Sequence, residues 1–202
     1  MKEKILGLPL ELYHNKGLIL SLSKNDFKTK YAGSYLGIVW AFIQPVVTIM
    51  VYWFVFTIGL KAGDMAEYPF VLYLISGIVP WFFFQDALNG GTNALMEYNY
   101  LVKKVVFKIS ILPIVKVFSA LFVHVFFVAF ALIICSVNGY TPTFHTLQIF
   151  YYTGCTFVFA LALVYATSAI VVFFRDLTLE NINILKVTVC LMLVLFVLLK
   201  MN

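Results

Sequence analysis

Charged residues are scarce in this sequence: Lys, Arg, Asp and Glu together make up 11% of its 202 residues, while 63% are hydrophobic. A soluble domain carries roughly 25% charged residues, so the composition excludes an ordinary soluble protein. Inside a bilayer the backbone must satisfy its own hydrogen bonds, and long apolar segments do so as helices. The sequence therefore predicts an all-α, polytopic membrane protein.

Motifs for catalysis and for metal binding are also missing. The sequence has no G-x-x-x-x-G-K-[ST] phosphate loop, no H-E-x-x-H pair and no G-x-S-x-G nucleophile turn. Its three cysteines, Cys135, Cys155 and Cys190, lie in apolar runs without metal-ligand spacing, so neither a disulfide framework nor a zinc site is expected. We expect no catalytic residue, no metal and no cofactor bound by this chain.

Four segments meet or approach the length of about 20 apolar residues that a helix needs to cross a membrane. They are residues 36–60, 68–88, 114–137 and 147–174. A fifth apolar run lies within residues 184–200 and crosses fully only if its flanking lysines extend toward the headgroups, so it is a partial or fifth span. Together the segments predict one transmembrane domain over residues 1–202, with about five spans.

The basic residues indicate how this domain is oriented. Lysines precede the first span and separate the second from the third, and Arg175 follows the fourth. The opposite loops carry Lys61 against Asp64 and Glu67, then no charge over residues 138–146. Because Lys and Arg are retained on the cytoplasmic side, we expect a cytoplasmic N-terminus. The net charge of +5 then requires no nucleic-acid partner.

Residues 8–31 mix apolar and charged side chains in a way typical of an amphipathic helix lying in the membrane interface. Because residues 1–35 are mostly polar or mixed, no cleavable signal peptide is expected. The entrance to the first span is marked by Tyr31, Gly33, Ser34, Gly37 and Trp40. The G-x-x-x-G spacing within it suits a close helix contact. From the residues alone, ordinary anchoring with one tight helix crossing is the favoured interpretation.

Polar residues inside the spans are candidates for lining a passage, because such residues usually face the protein interior or water. Asp86 and Asn89 end the second span, and they either line a passage or lie in solvent beyond the membrane. His124 lies deep in the third span, where a packed, hydrogen-bonded role is favoured over a proton relay, since no acidic partner is evident. Lys116, nearer the cytoplasmic end, can extend its amine toward the headgroups.

Three ordered stretches resemble one known family: KYAGSYLGIVWAFIQP at 30–45, NYLVKKVVF at 99–107 followed by ILP at 111–113, and FFRD at 173–176. The family comprises the permease subunits of ATP-binding-cassette (ABC) exporters for polysaccharides, which move lipid-linked O-antigen, capsule or teichoic acid chains. The resemblance covers nearly all of the chain. It implies a protein of the bacterial cytoplasmic (inner) membrane that works as a permease homodimer with two separate ATPase subunits, and these subunits use the ATP.

The resemblance also implies roles for particular residues. The entrance residues become a hinge between the interface helix and the first span. The ATPase-coupling candidates, on a cytoplasmic coupling helix and on the loop after the fourth span, are Asn99, Leu101, Lys103, Lys104, Arg175 and Asp176. The chain departs from the family at Lys108, where a proline is usual, and the family normally has six spans. We therefore expect a C-terminally truncated copy.

Three other functions stay open at this point. A drug or small-molecule ABC export permease shares the topology, and an inactive truncated permease would insert without transporting anything. A membrane-embedded enzyme that modifies lipids or glycans should show acids or histidines converging near one face. Few such residues are available in this sequence, so a polysaccharide transport subunit is the favoured interpretation.

Overall fold

The computed structural model describes residues 14–33, 35–59, 69–98, 109–140 and 143–173. Its five α-helices in chain order are α1 Lys16–Tyr31, α2 Trp40–Phe54, α3 Phe70–Glu97, α4 Ile111–Val137 and α5 Gln148–Phe173. Short helical turns extend α2 at both ends, Gly37–Val39 before it and Val55–Gly59 after it, and the turn Phe144–Leu147 precedes α5. These ranges contain no strand, which confirms the all-α prediction.

Within the described ranges, four helical runs are long and apolar enough to cross a membrane: Gly37–Gly59, Phe70–Glu97, Ile111–Val137 and Gln148–Val172. The shortest has 23 residues. At 1.5 Å per residue it is about 34 Å long, which exceeds the roughly 30 Å hydrocarbon core. The polytopic prediction is therefore confirmed. The run within 184–200, predicted as a partial or fifth span, lies outside the described residues.

The helix ends follow from local backbone chemistry. Pro69 directly precedes α3, and Pro113 lies in the first turn of α4, where the N–H that proline lacks would have no helical partner. α4 ends before Gly139, whose φ of 89° is a left-handed value that glycine adopts without strain. α3 extends to Glu97, past the predicted boundary at residue 88, because its polar last turns pack against α4 and α5.

α3 is the central helix of the bundle. The core that it shares with α4 and α5 includes Phe83, Phe84, Leu88, Val117 and Val164. Gly91 lets α5 approach closely, since a Cβ placed there would lie 2.4 Å from a methyl carbon of Val164. The neighbouring Thr92 shares a hydrogen bond of 2.8 Å with Thr167 of α5. Small residues and hydroxyl bonds at a helix contact are typical of packing inside a membrane.

α2 lies at the edge of the bundle and packs lightly. Only 11% of the residues in its most apolar stretch are buried, against 33% for α3. Its attachments are mainly aromatic, with the ring of Phe42 4.3 Å from that of Phe126 and 6.3 Å from that of Phe127. Ile49 adds a buried aliphatic contact with α3 and α4. Most large side chains of α2 are therefore left exposed by this chain.

α1 packs against α4 through a face that is partly polar. Ile19 packs on the first turns of α4, and Ser23 and Asp26 are buried on the same face. Leu18 and Leu20, in contrast, are exposed. The contacts with α4 thus determine which side of α1 is buried. The remaining apolar residues of α1 are available to a membrane surface.

Candidate functional site

Four polar side chains meet where α1 crosses the start of α4 and the end of α3. We call Asp26, Glu97, Tyr98 and Lys116 the anchor cluster. The Lys116 amine lies 2.8 Å from the Asp26 carboxylate and forms a second ion pair with Glu97. The Tyr98 hydroxyl donates a hydrogen bond to Asp26, and its ring centroid is 5.1 Å from the Lys116 amine. One amine therefore joins two helices to a third.

Burial makes this cluster energetically important. The side chains of Asp26 and Lys116 are 5% and 12% exposed, whereas that of Glu97 is 52% exposed. A buried charge is costly unless it is paired, and removing one partner leaves the other charge buried without compensation. The sequence leaves Lys116 able to extend its amine toward the headgroups, and the structure pairs that amine with Asp26 inside the protein.

A second ion pair joins α1 to α3 closer to solvent, between Lys30 and Asp86. Burial acts to lower the pKa of Lys30, but the charge of Asp86 and its hydrogen bond outweigh burial and raise the pKa above the ordinary 10.5. Lys30 therefore stays charged at physiological pH. Burial likewise raises the pKa of the neighbouring Tyr31, which stays neutral. Both members of the pair are more than a third exposed, so it contributes at most about 1 kcal/mol.

The predicted hinge residues lie at the junction of α1 and α2. Tyr31 ends α1, and Trp40 begins α2 after the turn Gly37–Val39. Gly37 has a φ of 54°, a backbone conformation for which glycine is suited. A Cβ at Gly33 would meet nothing within 4 Å, so within this chain the G-x-x-x-G spacing makes no close helix contact. Ser34 lies outside the described residues.

The three residues predicted to line a passage lie on one cavity. Asp86, Asn89 and His124 all line a space of about 250 Å³ between α2, α3 and α4, which we call the polar cavity. Tyr31 of the predicted hinge also lines it, next to the Lys30–Asp86 pair. The structure thus brings together side chains from the interface helix and three spans. Whether glycan passes along them stays a prediction.

His124 is packed rather than solvated. It is 5% exposed, and its ring lies 4.8 Å from that of Phe83. Its polar neighbours are the Thr153 hydroxyl, 3.4 Å from Nε2, and the backbone carbonyl of Val79. Sequence reasoning found no acidic residue near it, whereas Asp86 lines the same cavity. The spacing along the chain could not show this, because α3 and α4 are brought together only by packing.

Sequence reasoning missed the anchor cluster as a unit, although a signal for it exists. Asp26 is the only acidic residue among residues 14–33, which carry four lysines. Lys116 is the only charged residue of α4, which is otherwise almost wholly apolar. A single acid in a basic helix and a single base in an apolar helix each cost free energy if they are buried without a partner. Together they therefore predict an ion pair.

The six ATPase-coupling candidates cannot be placed by the structure. They are Asn99, Leu101, Lys103, Lys104, Arg175 and Asp176, and all lie outside the described residues. The described part of α3 nevertheless ends at the anchor cluster, immediately before residue 99. Within the described ranges, no group of three or more His, Cys, Asp or Glu side chains could hold a metal ion.

Comparison with known proteins gives three clear relatives. Over 173 aligned residues the chain is 32% identical to the O-antigen export system permease protein RfbA of Myxococcus xanthus. The alignment covers 86% of this chain and 65% of that protein. Over 178 aligned residues it is 23% identical to the protein of the same name from Klebsiella pneumoniae. This alignment covers 84% of this chain and 66% of the Klebsiella protein. The chain thus spans slightly less than two thirds of the length of these relatives. No protein-family model matches it.

Proposed function

This chain is a homologue of the O-antigen export permeases, which are type 2 ABC permeases, and we propose that it is the membrane subunit of a polysaccharide exporter. The observation that carries the proposal is the similarity over 86% of the chain. The four apolar helical runs agree with a transport subunit. In this proposal the transported material is a polysaccharide or a lipid-linked glycan, and the membrane is the bacterial inner membrane.

The energy for transport would come from a separate ATPase subunit. The sequence has no phosphate-binding loop, so the chain needs such a partner to use ATP. The excess of lysines before the first span and between the second and third supports a cytoplasmic location for these segments, on the side where an ATPase subunit would work. Two copies of the permease and two ATPase subunits would form the working exporter.

The anchor cluster supports Asn99, Leu101, Lys103 and Lys104 as contacts with that ATPase. Glu97 ends α3 and Tyr98 follows it; Glu97 is held by Lys116 of α4 and Tyr98 by Asp26 of α1. The segment that follows in the sequence carries Lys103 and Lys104. A segment of positive charge that directly follows these two held residues is suited to contact a partner without deforming the spans.

The test is a charge reversal on this segment. We expect Lys103→Glu combined with Lys104→Glu to reduce co-purification of the co-expressed ATPase at least about tenfold, because like charges at an interface cost several kcal/mol. Lys24→Glu combined with Lys28→Glu is the matched control, since both residues are exposed on α1 and carry the same charge change. Equal co-purification of the test variant and the wild-type chain would contradict the coupling role.

A second measurement addresses the transported material. In cells lacking this chain, surface polysaccharide should fall and glycan should accumulate inside, with both restored by the wild-type gene. Unchanged surface polysaccharide together with impaired export of a small compound would instead support an exporter of small molecules.

A further inference from the structure

Three cavities follow one another along α3 and α4 and are joined by the residues they share. Beside α1, a cavity of about 570 Å³ is lined by the anchor cluster and by Asp86 and Asn89. These two residues also line the polar cavity of about 250 Å³. His124 then lines both the polar cavity and a third cavity of about 450 Å³ between α3, α4 and α5.

The character of the cavities changes at His124. On the α1 side, Thr48, Gln85 and Asn89 give the polar cavity amide and hydroxyl groups. On the other side, the third cavity is lined mostly by aliphatic side chains such as Ile75 and Val128. Apolar cavities of this kind stay dry, whereas polar ones that offer two to four partners hold water.

Two buried polar atoms beside the polar cavity lack a hydrogen bond of good geometry among the described residues, although the backbone carbonyl of Val79 lies near the His124 ring. Asn89 Oδ1 and His124 Nδ1 are buried and make no hydrogen bond of normal geometry with any described residue. Leaving such an atom unpaired costs about 1–3 kcal/mol, more than an ordered water costs to immobilise. Each water occupies roughly 30 Å³. The polar cavity therefore has room for the several waters that these atoms require.

We infer that the polar cavity is a water-filled inlet inside a single copy of the chain, entered beside α1 and closed at His124. The inlet brings water past the Lys30–Asp86 pair and into the membrane-spanning part of α3 and α4. Its ligand is water, bound by amide and hydroxyl groups. The inference depends on neither the proposed export function nor the number of copies in the exporter.

Thiol labelling in membranes tests the inlet. Cys135, Cys155 and Cys190 are first replaced by alanine, and single cysteines are then introduced. Charged methanethiosulfonate reagents react with thiolates, which form in water but not in lipid. Val123 lines the polar cavity, whereas Val125, two residues along α4, is 58% exposed on the outside of this chain. Val123→Cys and Val125→Cys are therefore a matched pair on one helix.

We expect Val123→Cys and Asn89→Cys to react at least about tenfold faster than Val125→Cys, since only the first two thiols meet water. Val128→Cys, beyond His124, should be as slow as Val125→Cys. The reagent should reach Val123→Cys from the same side of the membrane as Lys24→Cys, which marks α1. Labelling after denaturation in SDS confirms that each thiol is present.

Three results would overturn the inlet. One is equal labelling of Val123→Cys and Val125→Cys. Another is fast labelling of Val128→Cys, which would mean a path that continues past His124. The third is access to Val123→Cys only from the side opposite Lys24→Cys. The valine pair keeps the test decisive even if Asn89→Cys does not fold, because cysteine is close to valine in size and polarity.

Discussion

α2 and α3 look alike in the sequence, yet the structure uses them differently. The most apolar part of the α2 run has a mean hydropathy of 1.9, against 1.5 for α3. Burial follows the reverse order, with 11% of the residues buried in α2 and 33% in α3. The more apolar helix is therefore the less buried one.

This difference teaches which residues place a helix inside a membrane protein. Lipid is as apolar as a protein core, so apolar side chains gain little by facing another helix. α3 is held in the bundle by small residues that permit close contact, such as Ala87 and Gly91, and by polar contacts with neighbouring helices through Thr92 and Glu97. α2 relies on the rings of Phe42 and its neighbours.

The largest expected effect lies in the anchor cluster, where α1, α3 and α4 meet. Lys116→Met should lower the free energy of unfolding by about 3–5 kcal/mol, because it leaves Asp26 buried without its charged partner. The measurement is denaturation in mixed micelles with increasing SDS. Adding Asp26→Asn should recover most of the loss, and the exposed Lys24→Met should cost little. A loss no larger than that of Lys24→Met would contradict the structural role of the cluster.

A smaller effect should distinguish two glycines of α3. Gly91→Ala should lower the free energy of unfolding by about 1–3 kcal/mol, since its methyl group would collide with Val164 of α5. Gly77→Ala is the matched control, because a Cβ there meets nothing within 4 Å. The same SDS titration compares the two variants. If both were equally stable, the close contact of α3 with α5 would be wrong.

The smallest effect is expected on α2. Phe42→Leu should cost about 0.5–1.5 kcal/mol by removing the ring contacts with Phe126 and Phe127. Met50→Leu, at a position that is 61% exposed, should change the free energy of unfolding by less than about 0.5 kcal/mol. A large loss for Met50→Leu that depends on protein concentration would show that another copy covers this face, and the contrast with α3 would then fail.

The sequence alone predicted the fold class because membrane spans are local features. Length and the absence of charge are sufficient to identify a run such as Gln148–Val172. The end of α3 was harder, because Asp86 resembles the end of a span when its partner Lys30 is unknown. Helix boundaries at polar residues depend on tertiary contacts that no local pattern carries.

The candidate site was only partly predictable for the same reason. Asp86, Asn89 and His124 were each identified as polar residues in apolar surroundings, but their common cavity follows from how α3 packs on α4. The pairing of Asp26 with Lys116 depends on the path of α1 back across the bundle. The coupling candidates at 99–104 and 175–176 stay predictions.

The sharing of one amine between Asp26 and Glu97 has a mechanical consequence. The pair with Asp26 is buried and the pair with Glu97 is half exposed, so Lys116 holds α4 firmly to α1 and more loosely to the end of α3. We therefore expect a displacement of α4 near Lys116 to move α1 more than the end of α3.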